Sequence, residues 1–185
     1  MKFKYVEKEI LYDGEPLKSL WAFRQFDLQG DSIVAFEGPC RVEVDQLVDL
    51  ADAKAGAFIF SRRMLHFIAE HFDMDLEKAV WKQRALTALA QDELNRRLGK
   101  LAVERRGNDL WDGDAKISVS IATRTPVSCK IHFGINVDAE GAPVKAKGLR
   151  DFNLDAPTLA QALLLRYREE CEDVWMDRCK VRGTA

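Results

Sequence analysis

The residues whose types and spacing can do chemistry are gathered in one stretch, RRGNDLWDGDAKISVSIATRTPVSCKIHFGINV, positions 105–137. From Lys116 onward, Ile117, Val119 and Ile121 are branched and apolar while Ser118, Ser120 and Ala122 are small, which is the period-two pattern of a two-faced strand over 116–123. The pattern returns over 127–137. There Cys129, Ile131, Phe133 and Ile135 share one face, and Lys130, His132, Gly134 and Asn136 share the other. A three-residue loop, Arg124-Thr125-Pro126, joins two antiparallel strands in which apolar faces apolar. That register sets Lys116 opposite Gly134, Ser118 opposite His132, Ile117 against Phe133 and Val119 against Ile131. The polar face is then a floor of serines and a glycine, where a ligand can approach the backbone. A lysine at its rim suits a carboxylate or phosphate, and His132 and Asn136 offer hydrogen bonds at its edge. The short Asp112-Gly113 turn folds Asn108 and Asp109 back toward the start of the same strand. Against this stands the commoner fate of a polar hairpin face, which is simply to meet solvent.

Other candidates are weaker. Arg24, near Gly30-Asp31, and Arg62, followed by Arg63, can hold an anion, although solvated surface arginines are the commoner reading of both. His66 and His71 are five apart and do not share a helical face. His66 and Glu70, at i and i+4, are a formal metal pair on a helix, but no metal site is expected. Cys40, Cys129, Cys171 and Cys179 form no C-x-x-C pair and read as free thiols filling apolar space.

The elements that must position these residues follow from periodicity and capping. Residues 3–12 read as a strand before the turn Asp13-Gly14-Glu15-Pro16, and 17–26 as a short helix or strand. Residues 32–36 read as a buried strand stopped by Gly38-Pro39, with shorter strands at 42–44 and 57–60 and a helical turn between them that ends at Gly56. Ser61 is placed as the N-cap of a helix over 61–72, with Met64, Leu65, Ile68 and Phe72 on one face. Asp75 opens a second helix that Gly99 closes, residues 101–104 read as a short strand, and a long packing helix runs from Pro157 to about Arg178. Strands and helices in this order give one α+β domain over 1–185, with a mixed or antiparallel sheet and packed helices.

Composition narrows the function classes. A chain of 185 residues, 47% hydrophobic, buries one sizeable core. A net charge of −2 offers no basic field for nucleic acid or an anionic membrane. The N-terminus, MKFKYVEKEILY, lacks the apolar run of a signal peptide, and no later run reaches transmembrane length, so the expected compartment is the cytoplasm.

Asn108-Asp109-Leu110, then Asp112-Gly113 and Lys116-Ile117, resemble the N-D-(I/L)…D-G-(K)-K-(I/V) signature of biotin and lipoate protein ligases. His132-Phe133-Gly134-Ile135-Asn136-Val137 is similar to the H-G-x-x-L-N-V strand that follows it there. Lipoyl-type octanoyltransferases share the lysine and that later strand. The resemblance covers about a fifth of the chain. It implies a ligase-like core related to class II synthetases, in which the N-D pair and the lysine line an acyl-adenylate site. It brings ATP with Mg²⁺ into view as cofactor, and a small carboxylic acid or nucleotide as partner. GDSIVAFEGPC, MLHFIAEHFD and RRGNDL…KISVSIAT…IHFGINV also resemble a DUF366-like family, a domain of unknown function that implies no activity. The chain departs from the ligases in lacking their glycine- and arginine-rich loop. It departs from the octanoyltransferases in lacking a P-C-G nucleophile, so no thioester intermediate is expected.

Two functions compete. In one, an acyl- or adenylyl-transfer enzyme, Lys116 is the catalytic candidate, countering charge that develops on an acyl or phosphate oxygen. Asn108, Asp109, Ser118, His132, Gly134, Asn136, Arg24 and Arg62 bind the ligand around it. In the other, a binding or assembly domain keeps the fold without the chemistry.

Overall fold

The computed structural model describes residues 1–43, 47–54 and 59–184. In chain order these form β1 (Lys2–Val6), a 3₁₀ turn (Glu15–Leu17), α1 (Trp21–Phe26), β2 (Ser32–Val42), α2 (Leu50–Lys54), β3 (Ile59–His71) and α3 (Leu76–Leu98). There follow β4 (Glu104–Arg106), β5 (Asp109–Asp112), β6 (Ala115–Lys116), β7 (Ser118–Arg124), β8 (Cys129–Asp138), a second 3₁₀ turn (Leu149–Phe152) and α4 (Ala156–Lys180). The main sheet has the order β1-β2-β3-β8-β7, parallel only between β1 and β2, and β4-β5-β6 make a small second sheet. The expected α+β class with a mixed sheet is the observed one.

The long helices start and stop for the anticipated reasons. The Asp75 carboxylate accepts the Lys78 N–H at 3.0 Å to cap α3, and Gly99 ends it in the left-handed region at φ 65°. The Asp155 carboxylate accepts the Thr158 N–H at 3.0 Å to cap α4. Both helices pack on one face of the sheet, against Ile33, Leu65, Phe67, Ile131, Phe133 and Ile135. The other face is covered by the N-terminal segment, through Tyr12, Leu17, Trp21 and Ala22 over Val34, Phe36, Met64 and Ile68.

This second cover explains the main corrections. Residues 61–72, expected as a helix capped by Ser61, are most of β3. A central strand buried on both faces reads as a continuous apolar run, and MLHFIA satisfies a helical stripe by coincidence. The expected strand at 32–36 runs on to Val42, with a register shift at Gly38/Cys40 in place of a stop. A Cβ at Gly38 would fall on the Ile10 carbonyl, so the crossing chain needs glycine there. The strand expected at 3–12 ends at Val6, with only an isolated Tyr12–Cys40 bridge beyond it. Of the short strand expected at 101–104 only Glu104 is in a strand, as the first residue of β4. Of the strands expected at 42–44 and 57–60, Val44, Ala57 and Phe58 lie outside the described residues.

The β7–β8 pair is antiparallel and adjacent, as expected, but slipped by three residues: Ser118 opposes Ile135, Val119 opposes Gly134 and Ile121 opposes His132. An odd slip exchanges faces. Val119 and Ile121 share the His132 and Gly134 face, and the Ser120 hydroxyl accepts from Gln83 of α3 at 2.9 Å. The reason is physical. With both faces covered, apolar residues need not all lie on one of them, and the turn is set by Thr125, whose N–H and hydroxyl bond Ser128 O at 2.8 and 3.0 Å.

Two charges are sealed in this sheet. Glu70 accepts from the Lys130 ammonium at 3.1 Å, the Ser128 hydroxyl at 2.7 Å and the Leu20 N–H at 2.8 Å. Lys130 is wholly buried, and that burial pulls its pKa below the ordinary lysine value. Glu70→Ala leaves an unpaired buried ammonium and is expected to cost about 3–5 kcal/mol. Glu70→Gln with Lys130→Met removes both charges and should recover most of it. Urea unfolding of both variants decides, and equal loss in both would refute the pairing account.

Candidate functional site

A cavity of about 560 Å³ lies where β7 and β8 meet the small sheet and the N-terminal cover. Met64, Val119, Ile121, His132 and Asn136 line it from the main sheet. Asn108, Asp109, Trp111 and Lys116 line it from the small sheet. Tyr12 and Leu17 close one side, Val42 and residues 47–49 another, and residues 142–144 with Ala146 a third.

The small sheet places the charged pair. Gly113, at φ 60°, turns β5 back on β6, so Trp111 pairs with Lys116 and the Asn108-Asp109 end lies beside the lysine. The Lys116 ammonium meets the Asp109 carboxylate at 2.8 Å and stands 5.9 Å from the Trp111 ring centroid. Lys116 keeps 28% of its side chain exposed, so it can exchange partners. Asn108 spends its amide on the Ser120 carbonyl at 2.8 Å, and the Ser118 hydroxyl accepts the Leu110 N–H at 2.8 Å. Both therefore hold the small sheet against β7. Asn136 donates through Nδ2 to Lys147 O at 3.3 Å.

His132 belongs to an aromatic stack. Its ring lies 3.8 Å from that of Tyr12 and 5.3 Å from that of His66, which in turn stacks on Phe36 at 5.0 Å. His132 Nε2 and His66 Nδ1 are 3.0 Å apart, and His66 Nε2 lies 3.2 Å from Gly38 O. Burial pushes the His66 imidazole down to about 3. Burial and the neighbouring ring push His132 well below the ordinary value. Cys40, on the same side of the sheet, is pushed up to about 12 by burial, which makes it inert as a nucleophile.

The structure thus brings Lys116, Asn108, Asp109, Ser118, His132 and Asn136 to one cavity and leaves three expected residues outside it. Gly134 makes no room for a ligand: a Cβ there would fall on Met64 Sδ, so the glycine accommodates the thioether. Arg24 is exposed on α1. Arg62 is exposed and paired with Glu140, in a cleft with Arg63, Asp138 and Arg150. Neither arginine roofs the site. His66 and Glu70 are no metal pair, since i and i+4 on a strand stand roughly 13 Å apart and Glu70 is held by Lys130. Tyr12, Met64, Trp111 and the segments 47–49 and 142–146 were not anticipated. Trp111, between the Asn-Asp and Asp-Gly pairs, carried a local signal, whereas the others arrive through long-range packing.

The sequence profile of the family described as Domain of unknown function (DUF366) matches residues 1–182. The chain belongs to this family. An uncharacterised protein of Methanocaldococcus jannaschii is 36% identical over 184 residues, covering 96% of this chain and 82% of the relative. A solved protein of unknown function from Pyrococcus horikoshi is 37% identical with a TM-score of 0.93, covering 100% of this chain and 99% of that one. The fold extends further. The biotin protein ligase of Aquifex aeolicus in complex with biotin and ATP aligns at a TM-score of 0.62 and 14% identity, over 91% of this chain and 69% of that one. A T. acidophilum protein with bound lipoic acid, described as a candidate lipoate protein ligase, aligns at 0.57 and 15%, over 92% and 85%. The DUF366 chain therefore has the biotin and lipoate ligase fold. No helix among its described residues is long and apolar enough to cross a membrane.

The two buried imidazoles impose a pH dependence whose sign is determined. Above the unfolded value of 6.5 both are neutral in either state and contribute nothing. Below it the unfolded chain takes up protons that the folded protein refuses, so stability falls with pH down to the folded values, about 3 for His66. For His66 alone the loss at pH 5 is about 2 kcal/mol. Urea unfolding between pH 7 and 5 should show this slope, and His66→Phe should reduce it. An unchanged slope in that variant would show that His66 is not buried as a neutral ring.

Proposed function

We propose that the DUF366 cavity takes a small carboxylic acid or an activated form of it for acyl transfer, with Lys116 countering the charge on its acyl oxygen. The observation that carries this is the Lys116–Asp109 pair, 2.8 Å across and partly exposed, set in a cavity otherwise lined mainly by Tyr12, Leu17, Met64, Trp111, Val119 and Ile121. An apolar chamber of this size with one exchangeable cation suits an amphipathic monoanion. A ligand carboxylate displaces Asp109 from the ammonium. In an activated form, an ester or thioester, the carbonyl oxygen takes that place. Lys116 then meets the negative charge that grows on that oxygen as a nucleophile adds and that is released as the alcohol or thiol departs. Asp109, Trp111 and the Asn108 strut hold the ammonium in place.

The same lining does not fit the ATP that the ligase fold implies. Among the described residues it carries one cation, Lys116, against the carboxylates of Asp109 and Asp49, whereas a triphosphate calls for several cations or amide donors. No adenylyl step follows from such a lining. This observation also favours the second reading, a ligand-binding domain that keeps the ligase fold without the transfer.

A thermal-shift and calorimetric series with biotin, lipoate, octanoate and Mg-ATP, followed by pyrophosphate exchange on any ligand that binds, separates the two. Binding of an acid without turnover supports the second reading. Lys116→Met keeps the apolar stem and deletes the charge, so folding should survive and acid binding should weaken about tenfold to a hundredfold. Unchanged affinity in Lys116→Met would remove the lysine from the site.

A further inference from the structure

The imidazole chain behind the cavity determines what the far end of the ligand must carry. Gly38 O can only accept, so the ring nitrogen facing it at 3.2 Å, His66 Nε2, bears the proton. His66 is neutral, being held near 3, and its Nδ1 is therefore a bare acceptor. The atom 3.0 Å from that acceptor is His132 Nε2, which must in turn carry its proton. His132 is neutral as well, so its remaining nitrogen, Nδ1, is a lone-pair acceptor. No side chain or backbone group among the described residues donates to it. It is also not among the side-chain polar atoms that are sealed from solvent without a hydrogen bond. His132 is only 2% exposed, lines the cavity and is braced flat against Tyr12 at 3.8 Å.

We propose that His132 Nδ1 is the specificity acceptor of the cavity, and that the acid it selects bears an N–H or O–H donor at its apolar end, as in a ureide, amide or hydroxy acid. This rests on the acid reading above and deepens it. The two ends are separate stations. The Asn136 N–H bonds Ile117 O at 2.9 Å, next to Lys116, and His132 lies four residues further along β8, roughly 13 Å at strand rise. A plain alkyl end would strand the buried lone pair, whereas a donor satisfies it. Lys116 reads the acid and His132 reads the donor.

The test uses the full chain labelled with [¹⁵N]histidine and three acids matched in chain length: nonanoate, ω-hydroxyoctanoate and ω-methoxyheptanoate. In the free protein the His132 spectrum should show a protonated Nε2 and an unprotonated Nδ1, assigned by its loss in His132→Asn. Only ω-hydroxyoctanoate should move the Nδ1 resonance. It should bind about threefold to tenfold more tightly than the other two, a preference absent in His132→Phe. A proton found on Nδ1, or equal affinity and equal shifts for all three acids, would overturn the inference. Neutral 2-imidazolidinone is the control for the other station. A Nδ1 shift with it and none with any acid would keep the donor site while sinking the acid reading. No shift with any of the four compounds would sink the donor site itself.

Discussion

Burial of β3 and β8 on both faces is the constraint from which the rest of the molecule follows. Helices α3 and α4 cover one side of these strands and the N-terminal segment covers the other. Away from the exposed Arg62 end and from the cavity, a polar side chain on them must then find a partner inside the protein, because water reaches neither face there. Glu70 finds Lys130 and Ser128, and His66 finds Gly38 and His132. The sequence accommodates this at single points: Gly134 yields to the Met64 thioether, and Gly38 yields to the Ile10 carbonyl.

Legibility in the sequence followed the same line. Elements with one wet face read clearly: α3 and α4 were delimited by Asp75, Gly99 and Pro157, because their stripes and caps are local. The doubly buried strand did not. MLHFIA has no polar face to betray a period of two, so its helical spacing prevailed over its true state. The β7–β8 pairing was legible and its register was not, since the alternation argument assumed one wet face. The errors partly compensated. Exchanging the faces of β7 left His132 and Asn136 on the cavity side, and Lys116 reached it from β6, which the sequence had merged with β7.

The site was legible where it is local and opaque where it is assembled. Asn108, Asp109 and Lys116 lie within nine positions of one another around the Gly113 turn, so spacing alone brings them together. The cover from Tyr12 and Leu17 crosses from the other end of the chain, and no pattern in residues 1–20 announces it. Arg24 and Arg62 were chosen for their charge, yet a guanidinium on an exposed helix or at a paired rim is the ordinary result.

Two lysines show why residue type is not enough. Lys116 and Lys130 both sit on strands of the same neighbourhood, and each meets one carboxylate, at 2.8 and 3.1 Å. Lys130 is wholly enclosed, and its partner Glu70 is also held by a hydroxyl and a backbone N–H, so opening that pair strands charges with no ligand able to enter. Lys116 is more than a quarter exposed at the wall of a chamber, so its carboxylate can be exchanged for another of the same chemistry. The difference is one of access and surplus valence, not of charge or distance. By the same measure the His132 Nδ1 lone pair is informative where the fully engaged His66 ring beside it is not, because a group that the fold has left unsatisfied beside a cavity is what a ligand can read.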